Sequence, residues 1–253
     1  MISSNVQVLV TLRVHSLFTR KPTGRLTKMV RINFHEELEV AEKGLMAEGR
    51  LVRTQLENVI KALDARDLEL ASQVISDDDR VDDTYLATDS RILNLLALQA
   101  PVAGDLRLVS AILHSNLHVE RMGDLCVNIA KFVLNREPYP SDSPMLIRIN
   151  EMGSHAAEML DLALSAFAQR SAELAEELPE RDDSLDRLNR GMLEDLKQYV
   201  NDEQSFEWAS KLLLVARYLE RFGDHAVDIG EQVSFLVTGV FREFEDASHP
   251  ELS

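Results

Sequence analysis

Acidic side chains recur four residues apart in this sequence, at Glu120 and Asp124 with the amide Asn128 beyond them, and again at Glu220, Asp224 and Asp228. On an α-helix that spacing stacks side chains into a column along one face. Oxygen ligands then line up over two turns. Two further columns, Asp78 with Asp82 and Asp182 with Asp186, stand earlier in each half. Carboxylates four apart repel by about 0.2–0.5 kcal/mol on an exposed helix, and by more when two columns face each other across a dry groove. Water, an arginine or a bound cation can offset this, and Arg121 and Arg221 adjoin the columns. All-oxygen sites suit hard cations and can bridge iron where acids from several helices converge. The same spacing also describes a plain solvated helix face. Gly123 and Gly223 recur beside the columns; a mid-helix glycine costs about 1 kcal/mol, so the pair predicts close approach of another backbone or a ligand.

The remaining reactive residues carry weaker signals. His114 and His118 have zinc-compatible spacing, but His118 lies about 200 degrees around the helix from Glu120, so the histidines do not join the acidic column and need no special role. His225 has no histidine counterpart; Leu125 stands at the equivalent position. Cys126 reads as a small buried apolar residue. No glycine-rich phosphate loop, Ser-His-Asp order or paired-cysteine motif is present.

Positioning the acids requires long helices. Apolar residues at three- and four-residue steps predict a first helix over Phe34 to Arg66 and a second over Leu68 to Ala97. A third is expected over Val102 to Asn135 with Pro101 in its first turn. Residues 137–144 hold three prolines and form the expected linker. Helices four to six are expected over Met145 to Arg170, Ser171 to Val200 and Phe206 to Phe244, with Pro179 kinking or restarting the fifth and a frayed tail from Glu245.

The two halves are copies. Aligning His118–Val133 with Tyr218–Val233 matches seven of sixteen positions, where ordinary residue frequencies would give about one. A shift of 100 residues exceeds solenoid periods of about 20–50, so it marks a duplicated domain. The expected organisation is an all-α protein of two tandem three-helix bundles, residues 29–136 and 145–244. A basic extension at 1–28, the linker at 137–144 and a tail at 245–253 complete it.

Composition bounds the function. A formal net charge of -16 opposes binding to nucleic acid or an anionic leaflet, so membrane association is expected only through protein partners. The single cysteine excludes an intrachain disulfide and fits a reducing, cytoplasmic setting. No run approaches the roughly 20 apolar residues of a membrane span. Met1 to Arg31 contains basic residues but no acid, and its apolar run precedes most of the charge, so a basic arm, or initiation at Met29, explains it better than a signal peptide.

The paired segments His118-Val-Glu-Arg-Met-Gly-Asp-Leu-Cys-Val-Asn-Ile-Ala and Tyr218-Leu-Glu-Arg-Phe-Gly-Asp-His-Ala-Val-Asp-Ile-Gly resemble the doubled motif of the PhoU family. So does the junction Leu96-Ala-Leu-Gln-Ala-Pro-Val-Ala-Gly-Asp-Leu-Arg107. The likeness spans about Met29 to Gly239. It implies a cytosolic, non-enzymatic negative regulator of the phosphate-starvation response and phosphate uptake. Its implied partners are the ATPase subunit of the phosphate ABC transporter, a sensor histidine kinase and a second copy of itself as a homodimer. It also implies iron or zinc on Asp78/Asp82, Glu120/Asp124, Asp182/Asp186 and Glu220/Asp224, with Asn128 and Asp228 one turn on. Two other readings compete. A ferritin-like carboxylate-bridged metalloenzyme would need Glu-x-x-His pairs, which the columns lack. A metal-free helical adaptor would leave the columns as solvated faces.

Overall fold

The computed structural model describes residues 24–135, 139 and 143–244, with side chains from Phe34 onward. The order is α1 (Gly24–Ala65), α2 (Leu68–Leu98), α3 (Gly104–Leu134), α4 (Pro144–Gln169), a single turn α5 (Ala172–Ala175), α6 (Leu178–Leu196) with a 3-10 turn at Lys197–Tyr199, and α7 (Glu203–Thr238). No strand occurs among the described residues. Helices α1–α3 form one three-helix unit and α4–α7 the second.

Both units turn their first corner in the same way. Arg66 and Arg170 take left-handed backbone angles, φ 55 and 54. The next amide in each reaches back five residues, Asp67 N to Ala62 O at 2.9 Å and Ser171 N to Ala166 O at 3.0 Å. This is a Schellman closure, which satisfies carbonyls that the helix end leaves free. Asp67 and Ser171 then cap the following helices by accepting from Leu70 N and Leu174 N. The duplication therefore extends through the first corner, at a shift of 104 rather than 100; the stretch from Asp186 to Glu220, in which α6 ends early, is four residues shorter than that from Asp82 to Glu120.

Each unit lends its apolar stripe to a single core that crosses from one to the other, with α3 packed on α7 and α1 on α4. The α1–α4 contact is reciprocal. A Cβ on Gly49 would lie 2.6 Å from Leu164 Cδ1, and one on Gly153 would lie 2.7 Å from Ile60 Cγ1. Under the 104 shift Gly49 matches Gly153 and Ile60 matches Leu164. Missing side chains let each helix seat the other's branched residue, and burying such a side chain contributes about 1.5–3 kcal/mol.

Several boundaries differ from expectation. Helix α1 begins at Gly24, inside the stretch assigned to the basic extension; residues 1–23 lie outside the described residues, as do most of the linker and the tail from 245. Pro101 precedes α3 by three residues instead of opening it. Pro144 belongs to the first turn of α4, where its absent N–H costs nothing. Pro179 restarts the helix as α6, as its backbone requires. Helix α7 ends at Thr238 because Gly239 turns left-handed at φ 75, and the chain returns so that Phe244 N donates to Glu231 Oε1 at 2.7 Å.

Candidate metal centres on two acidic faces

In the first unit the Asp78/Asp82 column on α2 meets the Glu120/Asp124 column on α3. Gly123 makes the approach possible: a Cβ there would lie 3.3 Å from Asp78 Oδ1, Gln55 Oε1 and Val81 Cγ1. Of the two expectations, a neighbouring backbone or a ligand, the first is not met: side-chain atoms of neighbouring helices approach, two of them oxygens. Gln55 Nε2 donates to Asp78 Oδ1 at 3.0 Å. Arg121, largely in solvent, lies 3.4 Å from Glu120 Oε2 and 3.2 Å from Asp124 Oδ2.

Helix α1 contributes the residue that sequence spacing missed. Glu48 is fully buried, and neither of its carboxylate oxygens has a hydrogen-bond partner. Burial, then the charges of Glu120 and Asp82, push its carboxyl up to about 9. Glu120 and Asp78 are also raised, burial again being the first cause. Glu120 Oε2 and Gln55 Oε1 are buried and have no hydrogen-bond partner either, although Glu120 Oε2 keeps the ion pair with Arg121. These oxygens come from α1 and α3 and lack the partners that buried polar atoms otherwise find, so their chemistry suits a hard cation, but among the described residues no three carboxylates of the columns bring ligand oxygens within 4.8 Å of one another, and a bound ion would have to draw them together. Glu48 and Gln55, two turns apart among the apolar Leu45, Val52 and Leu56, were the trace of this in the sequence.

The second unit repeats the columns and changes the company. A Cβ on Gly223 would meet Leu185 Cδ2 at 2.5 Å, Asp182 Oδ1 at 3.0 Å and Met159 Sδ at 3.3 Å. Met152 and Met159 stand where the first unit has Glu48 and Gln55. Two arginines engage the acids: Arg217 donates to Glu220, and Arg190 lies 3.2 Å from Asp186 Oδ2. Arg221 acts on Glu220 only as a nearby charge. Burial first, and then Asp224, push Glu220 up to about 7 against the pull of Arg217.

The third member of each column goes its own way. Asn128 is half-buried one turn beyond Asp124. Asp228 leaves the acids for two histidines, its Oδ2 lying 3.2 Å from His118 Nδ1 and 3.4 Å from His225 Nδ1. His118, expected to need no special role, meets His225 here, since α3–α7 packing brings residues 107 apart in the chain into contact. Cys126 is fully buried and its thiol is pushed well above the ordinary range by that burial.

The fold and the paired acidic faces define an all-α protein with a duplicated, carboxylate-lined three-helix domain. The PhoU domain matches it twice, at residues 45–133 and 149–233, and the chain belongs to the PhoU family. It is 32% identical over 215 residues to the phosphate-specific transport system accessory protein PhoU homolog of Pseudomonas aeruginosa, covering 85% of this chain and 89% of that one. The Clostridium acetobutylicum homolog is 30% identical over 222 residues, covering 86% of this chain and all of the relative. The crystal structure of PhoU from P. aeruginosa superposes with a TM-score of 0.76 at 32% identity, over 82% of this chain and 100% of that chain. The phosphate transport system regulatory protein PhoU from Streptococcus pneumoniae gives 0.74 at 28%, over 83% and 100%. The family assignment supports an accessory, regulatory role in phosphate transport.

Proposed function

We propose that this chain is a cytoplasmic, non-enzymatic negative regulator that couples the ATPase subunit of the phosphate ABC transporter to a sensor histidine kinase. It thereby restrains uptake and starvation genes when phosphate is plentiful. The observation that carries the reading is the double match to a family whose relatives are named for the phosphate-specific transport system. No helix among the described residues is long and apolar enough to cross a membrane, which fits access to the transporter through protein contacts. Surfaces suited to docking lie at both helix junctions. Leu98, Val102 and Leu106 are exposed in the first unit, beside a cavity of about 490 Å³ lined by Glu37, Arg91 and Gln99. Leu193, Val200 and Phe206 are exposed in the second. A homodimer is part of the same proposal.

Iron, zinc or another divalent cation on the columns is also proposed. Glu48, Asp78, Asp82, Glu120 and Asp124 would hold it in the first unit, and Asp182, Asp186, Glu220 and Asp224 in the second. The ion would neutralise the facing carboxylates and fix the angle between helices. Signalling then requires different affinities for two states of the transporter. Deleting the gene in its host should leave starvation genes expressed in phosphate-rich medium, with repression restored by the cloned gene. Normal repression in the deletion strain, and in a double deletion where a second copy exists, would overturn the reading.

A further inference from the structure

A second kind of metal chemistry lies at the seam between the units. His118 Nδ1 on α3 stands 3.2 Å from His225 Nδ1 on α7, and Asp228 Oδ2 completes a triangle with sides of 3.2 and 3.4 Å. The rings are tilted 48° at a centroid distance of 5.3 Å, so their Nδ1 corners converge without stacking. The two imidazoles are mostly buried, while Asp228 opens toward solvent.

Two Nδ1–H groups donating to Asp228 Oδ2 would satisfy the triangle, and so would one cation accepting a lone pair from each of the three atoms. The three ligand atoms lie within 4.8 Å of one another, the spacing a bound ion needs. Metal bonds of about 2.0–2.1 Å arranged tetrahedrally place ligand atoms about 3.3–3.4 Å apart. The observed sides fall close to that edge.

We propose that His118, His225 and Asp228 form a transition-metal site, selective for zinc-like ions, that ties the first unit to the second. Two imidazole nitrogens and one carboxylate oxygen are the donor set of zinc, cobalt(II) or nickel(II), in contrast to the all-oxygen columns. A water fills the fourth position from the solvent side. The site exists once per chain. Its counterparts under the internal repeat are Tyr218, Leu125 and Asn128, which offer no comparable set. The inference is independent of the regulatory reading, because it concerns binding alone.

The test is cobalt(II) titration of the full chain after stripping with chelator. One equivalent should give the intense visible bands of tetrahedral cobalt, and zinc should displace it. H225L, which installs the residue of the repeat, and D228N, which keeps the shape, should each abolish the bands and weaken binding by about tenfold or more. Both should retain the helical circular dichroism of the wild type. D78N/D82N, altered only in an acidic column, should keep the bands. Absence of tetrahedral bands in the wild type, or bands retained in H225L and D228N, would overturn the proposal.

Discussion

The two acidic faces descend from one pattern and resolve the same repulsion by different means. In the second unit Arg217 and Arg190 engage Glu220 and Asp186, Met159 on α4 reaches the face beside Gly223, and Met152 takes the position of Glu48. In the first, the positions of those arginines hold Leu117 and Leu86, and α1 adds the buried acid Glu48. Both faces carry a counter-charge, from Arg217 and Arg190 in the second and from Arg121 in the first. The first also adds a carboxyl from α1, held protonated near neutrality, with neither of its oxygens hydrogen-bonded. A duplicated motif thus conserves geometry while the residues behind it decide whether the geometry is self-sufficient.

The largest effect should come from Glu48. Its folded-state carboxyl, near 9, lies above the unfolded value, so the folded chain binds the extra proton between about pH 4.5 and 9. Stability from that group is complete below the unfolded value and is lost as pH rises through the window. Without metal, Glu48→Met should therefore raise stability at pH 8 by on the order of 4 kcal/mol and flatten its fall between pH 5 and 9. Urea unfolding at a series of pH values measures this; an unchanged slope would contradict the burial argument.

Cation addition should separate the faces next. Saturating a divalent ion at 100 times its Kd stabilises by about 2.7 kcal/mol. Chelator should lower the wild-type melting temperature, and E120Q/D124N should lose most of that response. E220Q/D224N should lose less, since Arg217 and Arg190 already oppose the charge there. Equal losses would dissolve the contrast.

A smaller effect is expected from Arg217→Leu, which gives the second face the residue of the first. Arg217 is more than half exposed, so solvent screens the pair and the cost should stay near 1 kcal/mol. The loss should be seen at pH 8, where Glu220 is ionised, and fade at pH 5, where it is protonated. Chemical denaturation at the two values checks the sign.

The helical periods and the Glu-Arg-x-Gly-Asp repeats made the six principal helices and the columns legible before any coordinates, because both signals are local. Helix ends were less legible. Gly239 stops α7 six residues short of the periodic pattern, and Pro101 lies just outside α3, since end geometry depends on single residues. Glu48 escaped because it belongs to no acidic spacing and its significance rests on burial. His118 and His225 escaped because α3–α7 packing, not sequence, makes them neighbours. Residues reached across helices carry no periodic signature.

The reciprocal seating of Leu164 on Gly49 and Ile60 on Gly153 has the form of an isologous interface, in which each surface meets its own copy. An ancestor bearing one unit would have used that surface to form a symmetric dimer. In such an ancestor any substitution appears on both sides of the axis at once. Fusion into one chain lifted that constraint, so an acid could settle opposite a methionine, and a histidine opposite a leucine, without its mirror image following. The asymmetry of the two faces is therefore open to the joined form and closed to a dimer of identical units.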